Sequence, residues 1–260
     1  MTDEIDEETV FTRTGTVPAP PVGNADVNWD EFDSQAYFQH NYGELRRDDA
    51  RIIEIIANFF QTAIPKRLGR AIDVGSGTNL YPALTMLPYS SRVTLFERAF
   101  TNRAWLSHEL EEPNGSWKYF WDAIASGRLP YANIGDPIDV LHSRADVTRG
   151  NIFSLEEDRY DMGTMFFVAE SITTRIDEFE RAARLFVNSL HRNAPFAAAF
   201  MRDSSGYLVG NQFFPACSIT EVEVARALAP VARNLHIELV ESNDLREGYG
   251  GMMVATGRKK

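Results

Sequence analysis

The stretch RAIDVGSGTNLYPAL, residues 70–84, decides the fold. Its first residues are mostly apolar, two glycines follow, and helix-forming residues come after them. That order predicts a strand over 70–75, a tight turn and a helix over 79–87. Glycine at 75 and 77 permits positive φ and lets a ligand approach the backbone. A dinucleotide turn of the G-x-G-x-x-G type would carry a third glycine where this chain has Leu80.

Outward from that turn the chain alternates. Strands are expected at 92–98, 139–147, 161–171 and 195–205, and helices at 101–112, 117–125, 174–192 and from Ser218, where Ser218 and Glu221 suggest a capping box. Two closing strands, 235–242 and 250–259, are spaced to pair antiparallel. Such alternation predicts an α/β sandwich on a mostly parallel sheet. Upstream, 34–45 is turn-rich, and 48–64 has helical apolar spacing with Asp48 and Asp49 at its positive end and Pro65 after it. Residues 1–28 begin acidic and continue Pro-rich, which reads as a mobile tail or else an arm over the site. The folded domain is therefore 29–260, with 29–66 as its N-terminal cap.

Composition narrows the function classes. The 260 residues are 44% hydrophobic, enough for one sizeable core. A net charge of −11 disfavours nucleic acid as a partner. No apolar run is long enough for a membrane helix, and the acidic N-terminus is unlike a secretory signal. The single Cys217 fits a cytoplasmic location, and a monomer is expected. The scattered histidines form no ligand pair, so no metal is expected.

Three features of the turn specify its ligand. Asp73 would repel a pyrophosphate but welcome a cation. Leu80 removes the close helix packing of the dinucleotide version. Glu97, ending the second strand, can accept hydrogen bonds from both hydroxyls of a ribose. A ribose, a positive charge and no pyrophosphate together describe S-adenosylmethionine.

Six segments carry a more specific resemblance: YFQHNY (37–42), IDVGSGTNLYPAL (72–84), VTLFERAFTNRAWL (93–106), ADVTRGNIF (145–153), FFVAESI (166–172) and GYGGMMVATGRKK (248–260). In this order they resemble the nicotinamide, phenylethanolamine and thioether N-methyltransferase family. The resemblance implies a class I methyltransferase sandwich: seven strands, mostly parallel, one C-terminal strand antiparallel, and an N-terminal helical cap. It also implies roles. Tyr37 and Tyr42 would close the cap over the cofactor. Gly75, Ser76, Gly77 and Asn79 would line its methionine end, and Tyr81 would bond the carboxylate. Glu97 stands where the family has an acid for the ribose, and Asn102 would reach the ribose or adenine edge. Asp146 and Val147 would flank the adenine. Phe166, Phe167, Val168 and Ala169 would form the floor where cofactor and acceptor meet. Plainer readings stand beside these: packing for the two tyrosines, capping for Asn102 and Asp146, and core packing for Trp117, Tyr119, Phe120 and Trp121.

Methyl transfer from a sulfonium is an in-line displacement that needs mainly alignment and a dry site. An amine acceptor must be neutral, and a carboxylate can orient or deprotonate it. Glu170 and Asp203, both expected at strand ends, are the candidates, with Tyr207, Phe213 and Phe214 as an aromatic acceptor wall. The expected activity is methyl transfer to a small-molecule amine or ring nitrogen. The alternatives are an oxygen, sulfur or carbon acceptor, or a cofactor-binding protein without transferase activity.

Overall fold

A computed structural model describes residues 20–64, 69–241 and 250–260. Pro65 and the stretch 242–249 of the expected closing turn lie outside the described residues, as do residues 1–19 of the expected tail. The helices are α1 (Ser34–Asn41), α2 (Arg47–Ala63), α3 (Tyr81–Met86), α4 (Phe100–Glu111), α5 (Trp117–Ala125), α6 (Leu129–Ala132), α7 (Pro137–Arg144), α8 (Ile176–Asn188) and α9 (Glu221–Leu228). The strands are β1 (Arg70–Val74), β2 (Arg92–Glu97), β3 (Ala145–Arg149), β4 (Met162–Phe166), β5 (Pro195–Met201), β6 (Tyr207–Val209), β7 (Gln212–Phe214), β8 (Ala232–Val240) and β9 (Met252–Lys259).

Seven strands form one sheet in the order β3-β2-β1-β4-β5-β9-β8, and β6-β7 is a separate hairpin. Pairings β1-β2, β1-β4, β2-β3 and β4-β5 are parallel, whereas β9 runs antiparallel to both β5 and β8. Side chains alternate across the sheet, as a two-residue period requires. Ala71, Val93, Leu95, Ala197 and Ala199 face α2, α3 and α5. Ile72, Val74, Phe196, Ala198 and Phe200 face α8 and α9. Both faces are covered, which explains the unbroken apolar runs of β4 and β5. The order reverses at β1, whose neighbours are β2 and β4, so a crevice opens beyond the carboxyl ends of these strands.

Local chemistry moved several boundaries. The expected strand 139–147 is mostly helix α7, because Asp136 caps it by accepting the Ile138 and Asp139 amides and Pro137 suits its first turn; β3 begins only at Ala145. The turn-rich 34–45 contains α1, capped by Asp33, which accepts the Ala36 amide at 2.9 Å. The capping box of α9 is Thr220 with Glu223, not Ser218 with Glu221. β4 stops at Phe166 because Phe167 takes φ 58°, and β5 stops at Met201 because Asp203 takes φ 52°. Trp117 and Phe120 are core residues, while Tyr119 is exposed.

Candidate active site

The glycine turn follows β1, with Gly75 at φ 67° and Gly77 at φ 56°. The Gly75 N–H donates to the Phe96 carbonyl at 2.7 Å, which ties the turn to β2. A Cβ at Gly75 would lie 2.6 Å from Val168, so glycine is required by space as well as by φ. Asn79 then opens α3: its Oδ1 accepts the Tyr81 amide at 3.1 Å.

Three buried side chains fix the electrostatics. Asp73 is 1% exposed, and its Oδ1 accepts the Thr164 hydroxyl at 2.7 Å. Burial raises its pKa to about 7, the Thr164 and Ser76 hydroxyls oppose that rise, and the neighbouring Glu97 adds to it. Glu97 ends β2 and holds the turn, its Oε2 accepting the Gly77 N–H at 2.8 Å and its Oε1 the Ala99 N–H at 2.7 Å. Burial raises its pKa too, countered by these backbone donors and by Asn102. Asn102 Oδ1 accepts the Ser34 hydroxyl at 2.7 Å, joining α1 to α4 beside the site. Deeper, Asp49 of α2 lies near Tyr42 and Tyr81; burial and Asp48 raise its pKa to about 7. Among the described residues, Asp73 Oδ2, Thr78 Oγ1, Asn79 Nδ2 and the Tyr81 hydroxyl are buried without a hydrogen-bond partner.

A cavity of about 810 Å³, including its open mouth, lies over this turn. Its floor is Val74–Asn79 and Phe166–Val168; Glu97, Arg98, Asn102, Gly150, Asn151 and Ile152 line one flank. Tyr37, Tyr42, Trp29, Phe32 and Tyr207 close the other. These aromatics pack together: Tyr207 stacks on Phe214 at 5.6 Å, and Phe214 on Trp29 at 5.5 Å. The segment 20–28, which composition assigned to the tail, is placed along this rim. Val22 N–H donates to Thr174 Oγ1 at 2.8 Å, and Asn24 N–H to Glu178 Oε2 at 2.9 Å. Arg98 Nη1 donates to both the Asn24 carbonyl and its Oδ1, at 2.9 and 2.7 Å.

The expected residues divide accordingly. Tyr37, Tyr42, Gly75, Ser76, Gly77, Asn79, Glu97, Asn102, Phe166, Phe167 and Tyr207 line the cavity. Asp73 and Tyr81 are fully buried and outside the lining, Asp73 next to the lining residue Val74 and Tyr81 packed on Tyr42 and Phe166. Asp146 and Val147 do not reach it. They lie within edge strand β3, and the exposed Asp146 pairs with Arg92 at 2.6 Å. The residues of that segment that reach the cavity are Gly150, Asn151 and Ile152, past the strand's carboxyl end.

The two acids expected near an acceptor also differ from expectation. Glu170 is fully buried and outside the cavity lining; its Oε1 accepts the Met201 N–H at 2.8 Å, and burial raises its pKa to about 8. It clamps the loop after β4 to the end of β5. Asp203 is half-exposed beside Arg202 and does not line the cavity. Ala169 is buried behind the floor, and Phe213 points outward on the β6-β7 hairpin.

Sequence reasoning missed Asn24, Trp29, Phe32, Thr78, Arg98, Asn151, Ile152, Ser171 and Ile172. Arg98 adjoins Glu97, so counting one position past the end of β2 would have found it. Asn24 and Trp29 left only a faint signal, one amide and one aromatic beyond a Pro-rich stretch.

Among the described residues no helix is long and apolar enough to cross a membrane. No protein-family profile matches the sequence, and no curated protein matches it. Solved structures do. The N-methyltransferase NodS from Bradyrhizobium japonicum, in complex with S-adenosyl-L-homocysteine, matches with a TM-score of 0.52 at 8% identity, over 82% of this chain and 86% of that one. SAM-bound CalS10, an amino pentose methyltransferase from Micromonospora echinaspora, matches with a TM-score of 0.52 at 16% identity, over 85% and 96%. The [4+2]-cyclase SpnF matches with a TM-score of 0.53 at 14% identity, over 81% and 80%. At such identities the likeness establishes the fold: this chain has the Rossmann-like sandwich of class I methyltransferases.

Proposed function

We propose that the protein transfers the methyl group of S-adenosylmethionine to a small-molecule acceptor, an amine or a ring nitrogen. One observation carries this reading. A cation-favouring acid, a ribose-competent acid and a cluster of unpartnered buried polar atoms surround a single glycine turn at the sheet's switch point.

The residues present fit the cofactor. Asp73, Thr78, Asn79 and Tyr81 offer unused polar atoms to an amino-acid end. Two of the lone pairs of Glu97 hold Gly77 and Ala99, and the rest of its carboxylate can take the ribose hydroxyls. Asn151 and Ile152 would border the adenine, with Arg98 and Asn24 over it. When bound, the cofactor supplies an electrophilic methyl on a sulfonium.

The chain's own contribution is alignment and exclusion of water. Phe166 and Phe167 form the floor below the transfer axis, and Tyr37 with Tyr207 walls it from solvent. A low-dielectric aromatic lining favours a neutral nucleophile over its protonated form. Transfer then rests chiefly on holding acceptor and methyl in line. Glu170 acts as a structural clamp in this scheme, and Asp203 stands outside it.

The test is methyl transfer from radiolabelled S-adenosylmethionine to a panel of amines, N-heteroaromatics, phenols and thiols, with products identified by mass. Labelled N-methyl products support the reading. Cofactor binding with no labelled product across the panel would favour a binding protein.

A further inference from the structure

A second cavity, about 1350 Å³ including its wide mouth, lies outside the first between α1 and the β6-β7 hairpin. The two share Tyr37 and Tyr207, whose ring centroids are 6.3 Å apart edge to face. These two rings are the partition between the chambers.

The hairpin is apolar on both faces. Inward, Tyr207, Val209 and Phe214 pack with Trp29 and Phe32. Outward, Leu208 and Phe213 face each other across the strands, and each is 63% exposed. A hairpin with one solvent face ordinarily carries polar residues there. The position of Phe213 is built in: Gly206 has φ 124°, and a Cβ on it would lie 2.1 Å from the Phe213 ring. The remaining lining, Ala36, His40, Asn41 and Ser205 among it, contains no carboxylate, lysine or arginine.

We propose that this outer chamber holds the distal part of the acceptor, and that this part is neutral, apolar and ring-bearing. The proposal rests on the methyl-donor reading and names the kind of acceptor that site takes. The acceptor's reacting atom reaches the inner cavity once the edge-to-face contact of Tyr37 and Tyr207 parts, while its distal ring lies against Leu208 and Phe213. Aromatic side chains favour a ring. Among the lining side chains only His40 can carry a charge, so a charged distal group would find little to pair with there. Adjacency to the inner cavity, with Tyr37 and Tyr207 lining both, assigns the chamber to the acceptor instead of to another protein.

The test uses N-phenyl-1-naphthylamine, a neutral aromatic probe that fluoresces in apolar sites, with the full chain saturated by S-adenosylhomocysteine. The expected result is one probe bound per chain. Affinity should fall at least tenfold in the Leu208→Ser/Phe213→Ser double variant, and also in Ala36→Trp, which fills the chamber from α1 and leaves the hairpin intact. S-adenosylhomocysteine affinity should stay within twofold in both. Probe affinity unchanged in both variants overturns the proposal alone, as does displacement of the probe by S-adenosylhomocysteine. A wild-type dimer that dissociates in the double variant, seen by sedimentation, overturns it in favour of a second copy. Failure of the wild-type chain to bind S-adenosylhomocysteine overturns the methyl-donor reading and this proposal with it.

Discussion

Cofactor affinity should depend on pH through Asp73. Its carboxyl is buried, with a pKa raised to about 7, so in the free protein it is roughly half protonated at neutral pH. A cationic ligand over the turn favours the ionised form, so binding lowers this pKa and releases a proton. Affinity should therefore rise as pH increases to 7 and level off above it. At pH 5.5 only about one free chain in 30 carries the ionised acid, so affinity should be about 30-fold weaker than at pH 8. This corresponds to ~2 kcal/mol at ~1.36 kcal/mol per pH unit. Calorimetry with S-adenosylmethionine in buffers of different ionisation heat should show about half a proton released at pH 7. Asp73→Asn keeps the acceptor for Thr164 but removes the charge, and it should flatten the profile and weaken binding at pH 8. Removing a charge-assisted contact of this kind costs about 1.5–3 kcal/mol, or roughly 10- to 150-fold. Equal affinity at pH 5.5 and 8, or parallel profiles for wild type and Asp73→Asn, would refute the role given to this acid.

Other perturbations separate supporting residues from lining ones. Asp146→Ala should leave S-adenosylhomocysteine affinity within twofold by calorimetry, and stability within ~1 kcal/mol by urea titration, because its ion pair with Arg92 is exposed. Glu170→Ala strands the Met201 N–H and leaves a cavity, so urea denaturation should show a loss of about 2–4 kcal/mol. Glu170→Gln, which keeps an acceptor, should restore most of it without lowering methyl transfer. Gly75→Ala forces a methyl group against Val168 at positive φ, and calorimetry should find S-adenosylhomocysteine binding lost. The raised acids also set the pH dependence of folding. Asp49, Asp73 and Glu170 bind protons more tightly folded than unfolded, so the ligand-free protein should lose stability in urea titrations as pH rises from 5.5 to 8.5.

Strands β1, β4 and β5 were visible in the sequence because each is a short apolar run, whereas β3 is a polar edge strand and was expected too early in the chain. This part of the cavity lining was visible for a related reason: Gly75, Gly77, Asn79 and Glu97 sit within a few residues of strand ends and announce themselves locally. The errors arose where tertiary contacts decide. Asp146 matched a family pair in spacing, yet β3 continues past it, and Asn151 and Ile152 take the place at its end. Glu170 looked reactive because it follows a central strand. The left-handed Phe167 redirects the chain and buries that carboxyl against β5. The rim contributed by Asn24 and Trp29 depends on contacts with Thr174, Glu178 and Arg98, which no local pattern encodes.

On the proposed reading, the glycine turn holds a ribose-bearing cation and disfavours a pyrophosphate. Parallel calorimetric titrations at pH 8 with S-adenosylmethionine, S-adenosylhomocysteine and NAD test it most directly. The account predicts one saturable site for both adenosyl ligands and no binding of NAD at millimolar concentration. Binding of NAD in preference to both adenosyl ligands would contradict it.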